Sequence, residues 1–405
     1  MNKYIDLESR YCARNYLPLP VVLTHGEGAF VWDESGKKYL DMMSAYSAVS
    51  HGHANSRLVQ LVRDQVGTLN IVSRAFYTDR LGPFLARACE LTGQDMALPM
   101  NTGAEAVETA IKAARKWGYT IKGIADDKAE IITCKGNFHG RTTTIISFSD
   151  EAQYRAGFGP FAPGFKLIEY GDLDALEAAI NENTAAFLVE PIQGEAGIVV
   201  PPAGYLKAAE ELCRKHNVLL IADEVQTGLC RTGKFLACEH EGVIPDGLIL
   251  GKALGGGIFP VSMFLAREEV MGVFAPGDHG STFGGNPLGA AIGLEALNIL
   301  VEDRLAERSA ELGEYLIAAL REIDSPLIKD VRGRGLFIGL EIDPALGSAR
   351  TACEALMERG LLSKETHDTV VRLAPPLVID KADIDWAVET LRDVLSEMDR
   401  VRLAS

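Results

Sequence analysis

The sequence predicts an α/β protein: a large domain on a mostly parallel sheet with helices on both faces, and a smaller α+β domain built from both chain ends. Three observations carry this. From about residue 55 to 300, short apolar strands alternate with helical patterns; the strands include EIITC (130–134), AAFLVE (185–190), NVLLIADE (217–224), GLILG (247–251) and VSMFLA (261–266). Such unbroken apolar runs suit strands covered on both faces. After about residue 300 the texture changes to charged amphipathic helices around a glycine-punctuated strand. The length agrees, since 405 residues, 47% of them hydrophobic, can bury more than one core.

In chain order, residues 1–54 read as an N-terminal segment of the small domain, 55–300 as the large domain and 301–405 as the C-terminal small domain. GEGAFVWDESGKKYLDM (26–42) predicts two short strands about a turn at 33–36. MNTGAEAVETAIKAARKWG (100–118) predicts a helix: Thr102 and Glu105 form a capping box, and Val107, Ala110, Ile111, Ala114 and Trp117 make one apolar stripe. VVPPAG (199–204) is a loop ahead of the helix YLKAAEELCRKHN. One amphipathic helix is expected over 301–322, a single strand with glycine bends over 331–343, and a last helix over about 382–399.

A formal charge of −16 argues against nucleic acid or an anionic membrane as the main partner. The first twenty residues lack the apolar core of a signal peptide, and no run approaches the roughly 18 apolar residues of a membrane helix. Seven scattered cysteines, with no CxxC pair, fit reduced thiols in a cytoplasmic compartment and offer no metal site. The histidines of HGH (51–53) lack further ligands and read as structural.

Lys252, in DGLILGKALGGG (246–257), and Asp223, in LLIADE, each fall at the carboxyl end of a predicted strand, where ligands of open α/β sheets collect. A lysine in apolar surroundings there can be a neutral amine, and an aspartate can pair with a protonated ring nitrogen. Gly103 and Ala104 open the capped helix and let an anion approach its free N–H groups; HGSTFGGNP (279–287) is a second phosphate-type loop. Lysine, acid and phosphate loops are the parts pyridoxal phosphate requires. Read singly, Lys252 is equally a solvated loop cation and Asp223 a helix cap. A P-loop ATPase is excluded by spacing, since GLILGKA has three residues between its glycines and alanine after the lysine.

With LLIADEVQTGLCRTGKF, PDGLILGKALGGGIFPVS, GNFHGRTTT (136–144), VEPIQGEAG (189–197) and GSTFGGNPLGAA (280–291) in this order, nearly the whole chain resembles the class III, fold type I pyridoxal-phosphate aminotransferases. The resemblance implies that Lys252 is the Schiff-base lysine and Asp223 the partner of the pyridine nitrogen. It implies Gln226 near the ring hydroxyl, Phe138 on the ring face, and Gly103 and Ala104 at the phosphate. Ser281 and Thr282 would reach that phosphate from the other subunit, so a homodimer with shared sites is expected, with further assembly left open.

RNYLPLPVVL (14–23), SAYSAVSHGH (44–53) and SRAFYTD (73–79) resemble the ornithine-specific branch of that class. That likeness implies L-ornithine and 2-oxoglutarate as substrates, with acetylornithine or another ω-amino acid as the alternative. Tyr16 and Arg141 would grip the α-carboxylate of ornithine, and Tyr46 would line the pocket. Glu195 would cover Arg372 until 2-oxoglutarate needs that arginine. Bland readings stand beside these: Arg372 as a strand-end ion pair, Tyr46 as core, Arg141 as a solvated cation. His139 stands where animal members tend to carry tryptophan, so FHGRT marks the class and not the substrate.

Overall fold

The computed structural model describes residues 2–404. Its centre is a seven-stranded sheet, in the order Met96–Met100, Ser262–Ala266, Gly247–Leu250, Leu219–Asp223, Thr184–Val189, Glu130–Cys134 and Phe165–Ile168. Ser262–Ala266 runs antiparallel to both neighbours; the other adjacent pairs are parallel. Every residue of Thr184–Val189, Leu219–Asp223 and Gly247–Leu250 is buried, which is why these strands read as unbroken apolar runs. Two strands of this sheet escaped the sequence pattern. Met96–Met100 and Phe165–Ile168 lie at the edges, half-exposed, and Pro99 is tolerated there because an edge strand has one side without ladder partners.

The helix Gly103–Trp117 forms with its capping box in place, and its whole apolar stripe is buried. That stripe packs on Ile131, Leu188, Ile221, Ile249 and Phe264, so the helix N-terminus is fixed over the carboxyl ends of the parallel strands. The helix expected over 301–322 forms as Leu305–Arg321, and a second long helix precedes it. Pro287–Glu302 ends in a corner at Asp303–Arg304, where Arg304 adopts φ +52°, and Leu305–Arg321 follows. The first went unread because it is apolar nearly all round, with ten of its residues buried.

The expected single strand at 331–343 is a hairpin, Ile328–Arg334 with Phe337–Ile342. Its sheet continues through Val370–Leu373 to Lys364–Thr366. A second small sheet holds Leu23–Glu27, Phe30–Asp33 and Lys38–Asp41, the expected strand pair with one strand added in front. Its fourth strand, Leu361–Leu362, pairs parallel with Lys38–Asp41 and so ties the two chain ends together. Helices Lys3–Tyr11 and Lys381–Ala404 complete the ends.

The hairpin approaches the helix Leu305–Arg321 at backbone distance. A Cβ on Gly313 would lie 2.1 Å from the carbonyl carbon of Gly335, itself at φ +54°. On an open helix face Gly→Ala stabilises by about 1 kcal/mol. Here Gly313→Ala is expected to lower stability by about 3 kcal/mol, because backbone and not a flexible side chain must give way. Thermal denaturation checks this, and a raised melting temperature would contradict the contact.

Candidate active site

The loops that leave the parallel strands enclose a cavity of about 190 Å³. Its wall brings together seven residues singled out from sequence: Gly103, Ala104, Phe138, Glu195, Asp223, Gln226 and Lys252. Lys252 follows the strand Gly247–Leu250 by two residues and sits at φ +46° in the turn Lys252–Gly255. Burial pulls its ammonium down to about 8, helped by Arg372 and opposed by Glu195 and Asp223. The amine is therefore available near neutrality.

Asp223 and Glu224, adjacent at a strand end, point opposite ways. Glu224 goes to the scaffold, accepting from the Thr227 hydroxyl at 2.6 Å and from the Ala237 and Cys238 N–H groups at 3.0 and 2.8 Å. Asp223 lines the cavity; its Oδ1 accepts from Val225 N–H at 3.0 Å and its Oδ2 lies 2.6 Å from His139 Nδ1. Burial disfavours an imidazolium at His139, but the hydrogen bond and charge of Asp223 outweigh it and raise the histidine. Glu190 closes the strand Thr184–Val189 and accepts from Phe138 N–H at 2.8 Å; burial pushes it up to about 7.

Behind the wall, Arg372 is 1% exposed. Its Nη1 donates to Glu195 Oε1 at 2.9 Å and its Nη2 to Thr366 Oγ1 at 2.8 Å. Gln226 Nε2 also donates to that Glu195 oxygen, at 3.3 Å. Burial alone would raise Glu195, yet Arg372 and then Lys252 hold it down to about 2. Tyr46 is half-buried, with its ring centroid 5.2 Å from the Arg372 guanidinium and 6.0 Å from Lys252 Nζ. Glu195 thus lines the cavity, and Arg372 pairs with it from behind.

Six expected residues lie outside that wall: Arg372 and Tyr46, which stand behind it, and four more. Arg141 is exposed, its guanidinium 3.6 Å from the Tyr154 ring centroid and 5.3 Å from that of Phe138. Tyr16 is 76% exposed and lines a separate cavity with the N-terminal helix. Ser281 Oγ accepts from Asn101 Nδ2 at 2.9 Å, beside the capped helix start, and Thr282 is exposed. Sequence reading missed the pairing of His139 with Asp223, and missed Glu190, Val225 and Tyr154. Glu190 carried the same signal as Asp223, an acid closing an apolar strand; Tyr154 carried none. Among the described residues, no group of three or more His, Cys, Asp or Glu is set to hold a metal ion. His51 and His53 go instead to Ala296 O at 3.0 Å and Asp41 Oδ2 at 2.8 Å.

A lowered lysine facing an acid beside a small-residue helix start is the architecture of an aminotransferase, and residues 11–395 match the aminotransferase class-III family. The chain belongs to that family. It is 58% identical over 391 residues to the ornithine aminotransferase of Bacillus subtilis, covering 96% of this chain and 97% of that one. Its fold superposes on the ornithine aminotransferase structure from Toxoplasma gondii with a TM-score of 0.97 at 45% identity, covering 98% and 95% of the two chains. An acetylornithine aminotransferase structure from Elizabethkingia anophelis matches with a TM-score of 0.89 at 48% identity, covering 97% and 98%.

In the cofactor-free protein, the Lys252 amine is expected to titrate near pH 8, well below ordinary lysines near 10.4. NMR of the ¹³C-methylated protein reads this directly. Glu195→Gln removes an anion that favours the ammonium, so the midpoint should fall further. A Lys252 midpoint above 10 would contradict the site's electrostatics.

Proposed function

We propose that the protein transfers the δ-amino group of L-ornithine to 2-oxoglutarate with pyridoxal 5'-phosphate, giving glutamate 5-semialdehyde, which cyclises to pyrroline-5-carboxylate, and glutamate. The observation that carries the reading is the ion pair between Glu195, in the same wall as Lys252, and Arg372 buried behind it. The residues present fit the cofactor. Lys252 offers an amine for its aldehyde, Asp223 an acid for its ring nitrogen, and Phe138 and Gln226 stand in the same wall. Gly103 and Ala104 head a helix whose first N–H groups suit its phosphate, and side chains are small there because a Cβ on Gly103 would already meet Val225 at 3.0 Å.

Bound there, the cofactor withdraws electrons from the carbon bearing the substrate amine and so acidifies its C–H bond. The chain does the rest. His139 braces the carboxylate of Asp223 through their 2.6 Å contact. Lys252, lowered by burial, takes the proton from the substrate δ-carbon and returns it. Arg141, with Tyr16, takes the α-carboxylate of ornithine, which leaves the δ-amine as the end that reaches Lys252. Glu195 meanwhile neutralises Arg372. When 2-oxoglutarate enters, Glu195 swings away and Arg372 takes the α-carboxylate, so one pocket serves two substrates of different charge.

We infer a homodimer, because Ser281 and Thr282 stand outside this chain's own cavity and suit the phosphate end of a second copy's. Residues 55–300 would carry the cofactor, and 1–54 with 301–405 would close the substrate end. A reducing, cytoplasmic compartment is supported by seven cysteines that are all free.

The Elizabethkingia neighbour makes acetylornithine the rival substrate. Comparing kcat/KM for L-ornithine and N-acetylornithine, with 2-oxoglutarate as acceptor, separates the two. Strong preference for ornithine with a pyrroline product is expected, and preference for acetylornithine would overturn the reading. Arg141→Ala should cost ornithine a charge-assisted bond of about 1.5–3 kcal/mol, roughly 10- to 150-fold in kcat/KM. An unchanged kcat/KM would remove Arg141 from the clamp.

A further inference from the structure

Arg231 is fully buried, 0% exposed, and among the described residues it makes no ion pair. Its Nη1 donates to the carbonyls of Leu336 at 2.9 Å and Pro375 at 2.6 Å. Its Nη2 donates to the hydroxyls of Ser44 at 3.2 Å and Ser50 at 3.0 Å, while Nε has no partner. A cation without a counter-ion is an expensive thing to bury. Burial pulls it down to about 9, against the charge of Asp41, which is near enough to oppose but makes no contact pair with it.

Ser44 and Ser50 bracket Tyr46. Ser44, Ala45, Tyr46 and Ser47 all adopt left-handed backbone, φ 42°, 47°, 60° and 74°, with no glycine among them. Each such residue costs roughly 1–2 kcal/mol, so the surroundings must hold the turn. On its far side Pro375 lies three residues beyond Arg372, and the segments are laced together: Ser44 Oγ donates to Ala374 O at 2.7 Å, Ala374 N–H to Met42 O at 2.7 Å and Leu377 N–H to Ser50 O at 2.9 Å. Arg231 supplies the fork between them. A lysine has a single nitrogen and cannot reach four acceptors in this planar arrangement.

We propose that Arg231 is a positioning residue that sets the distance between Tyr46 and Arg372, and with it the fit of the pocket to substrate length. It touches neither substrate nor cofactor. The proposal rests on the ornithine and 2-oxoglutarate reading above, in which Tyr46 and Arg372 face the substrate.

The test compares wild-type holoenzyme with Arg231→Lys and with Ser50→Ala, which removes one acceptor and leaves the cation. For both variants the KM for 2-oxoglutarate is expected to rise roughly tenfold with a smaller change in kcat. The kcat/KM ratio of ornithine to the shorter 4-aminobutyrate should fall, while the cofactor absorbance spectrum and its pH dependence stay as in wild type. Hydrogen exchange should quicken in 44–50 and 374–377 and not in 219–226. If the KM for 2-oxoglutarate, the substrate ratio and exchange at 44–50 match wild type in folded Arg231→Lys, the proposal fails. Should that variant not fold, the same readouts on Ser50→Ala decide. If wild type ignores ornithine, the functional reading falls, and the exchange pattern still decides whether Arg231 holds the turn.

Discussion

Lys252, Glu195 and Arg372 share a space too dry for each to keep its charge unaided, and how that conflict resolves governs the site. At an effective dielectric near 20, a contact ion pair gains about 4 kcal/mol, against a desolvation cost of several kcal/mol per ion. Glu195 and Arg372, in contact at 2.9 Å, roughly offset the cost of their burial. Lys252 has no such contact, because the carboxylate that would serve it is already engaged, so burial wins and its proton is loosened. The loosened lysine proton and the charged pair are thus two sides of one balance. A substrate carboxylate that displaces Glu195 from Arg372 alters both.

The fold supplies this balance by ending strands together. Glu190, Asp223 and Lys252 leave three strands of one sheet, and Arg372 comes from another, the sheet of Ile328–Arg334, Phe337–Ile342, Val370–Leu373 and Lys364–Thr366. Residues as far apart as Glu195 and Arg372 therefore meet only after both sheets have formed and docked. The capped helix Gly103–Trp117 is locked from its own side by apolar packing, which keeps its N-terminus open towards the cavity.

What was legible in sequence was local or deeply buried. Asp223 and Lys252 were readable because unbroken apolar runs ended on them, and the capping box because Thr102 and Glu105 are three residues apart. Edge strands such as Phe165–Ile168 lack the burial that writes such a pattern. The helix Pro287–Glu302 has only three polar residues, Glu295, Asn298 and Glu302, all in its second half, too few to reveal its period. Nothing local asks for four left-handed residues at Ser44–Ser47; that turn is imposed by Arg231 and the loop after Arg372, contacts more than 180 residues away in sequence. His139 was visible but ambiguous, since only the fold places it against Asp223. The substrate residues were drawn from resemblance, and of these Glu195, Arg372 and Tyr46 meet within the chain, whereas Tyr16 and Arg141 stand apart from the wall.

The central claim is that Glu195 occupies Arg372 so that the pocket first admits ornithine by its δ-amine. Single-turnover rates of the amino-donating half-reaction with L-ornithine and with L-glutamate, in wild type and Glu195→Gln, test it most directly. With Arg372 left open, the ratio of kcat/KM for ornithine to that for glutamate should fall at least tenfold, chiefly through faster reaction of glutamate. A ratio unchanged from wild type would mean that the Glu195–Arg372 pair is structural and that substrate choice is made elsewhere.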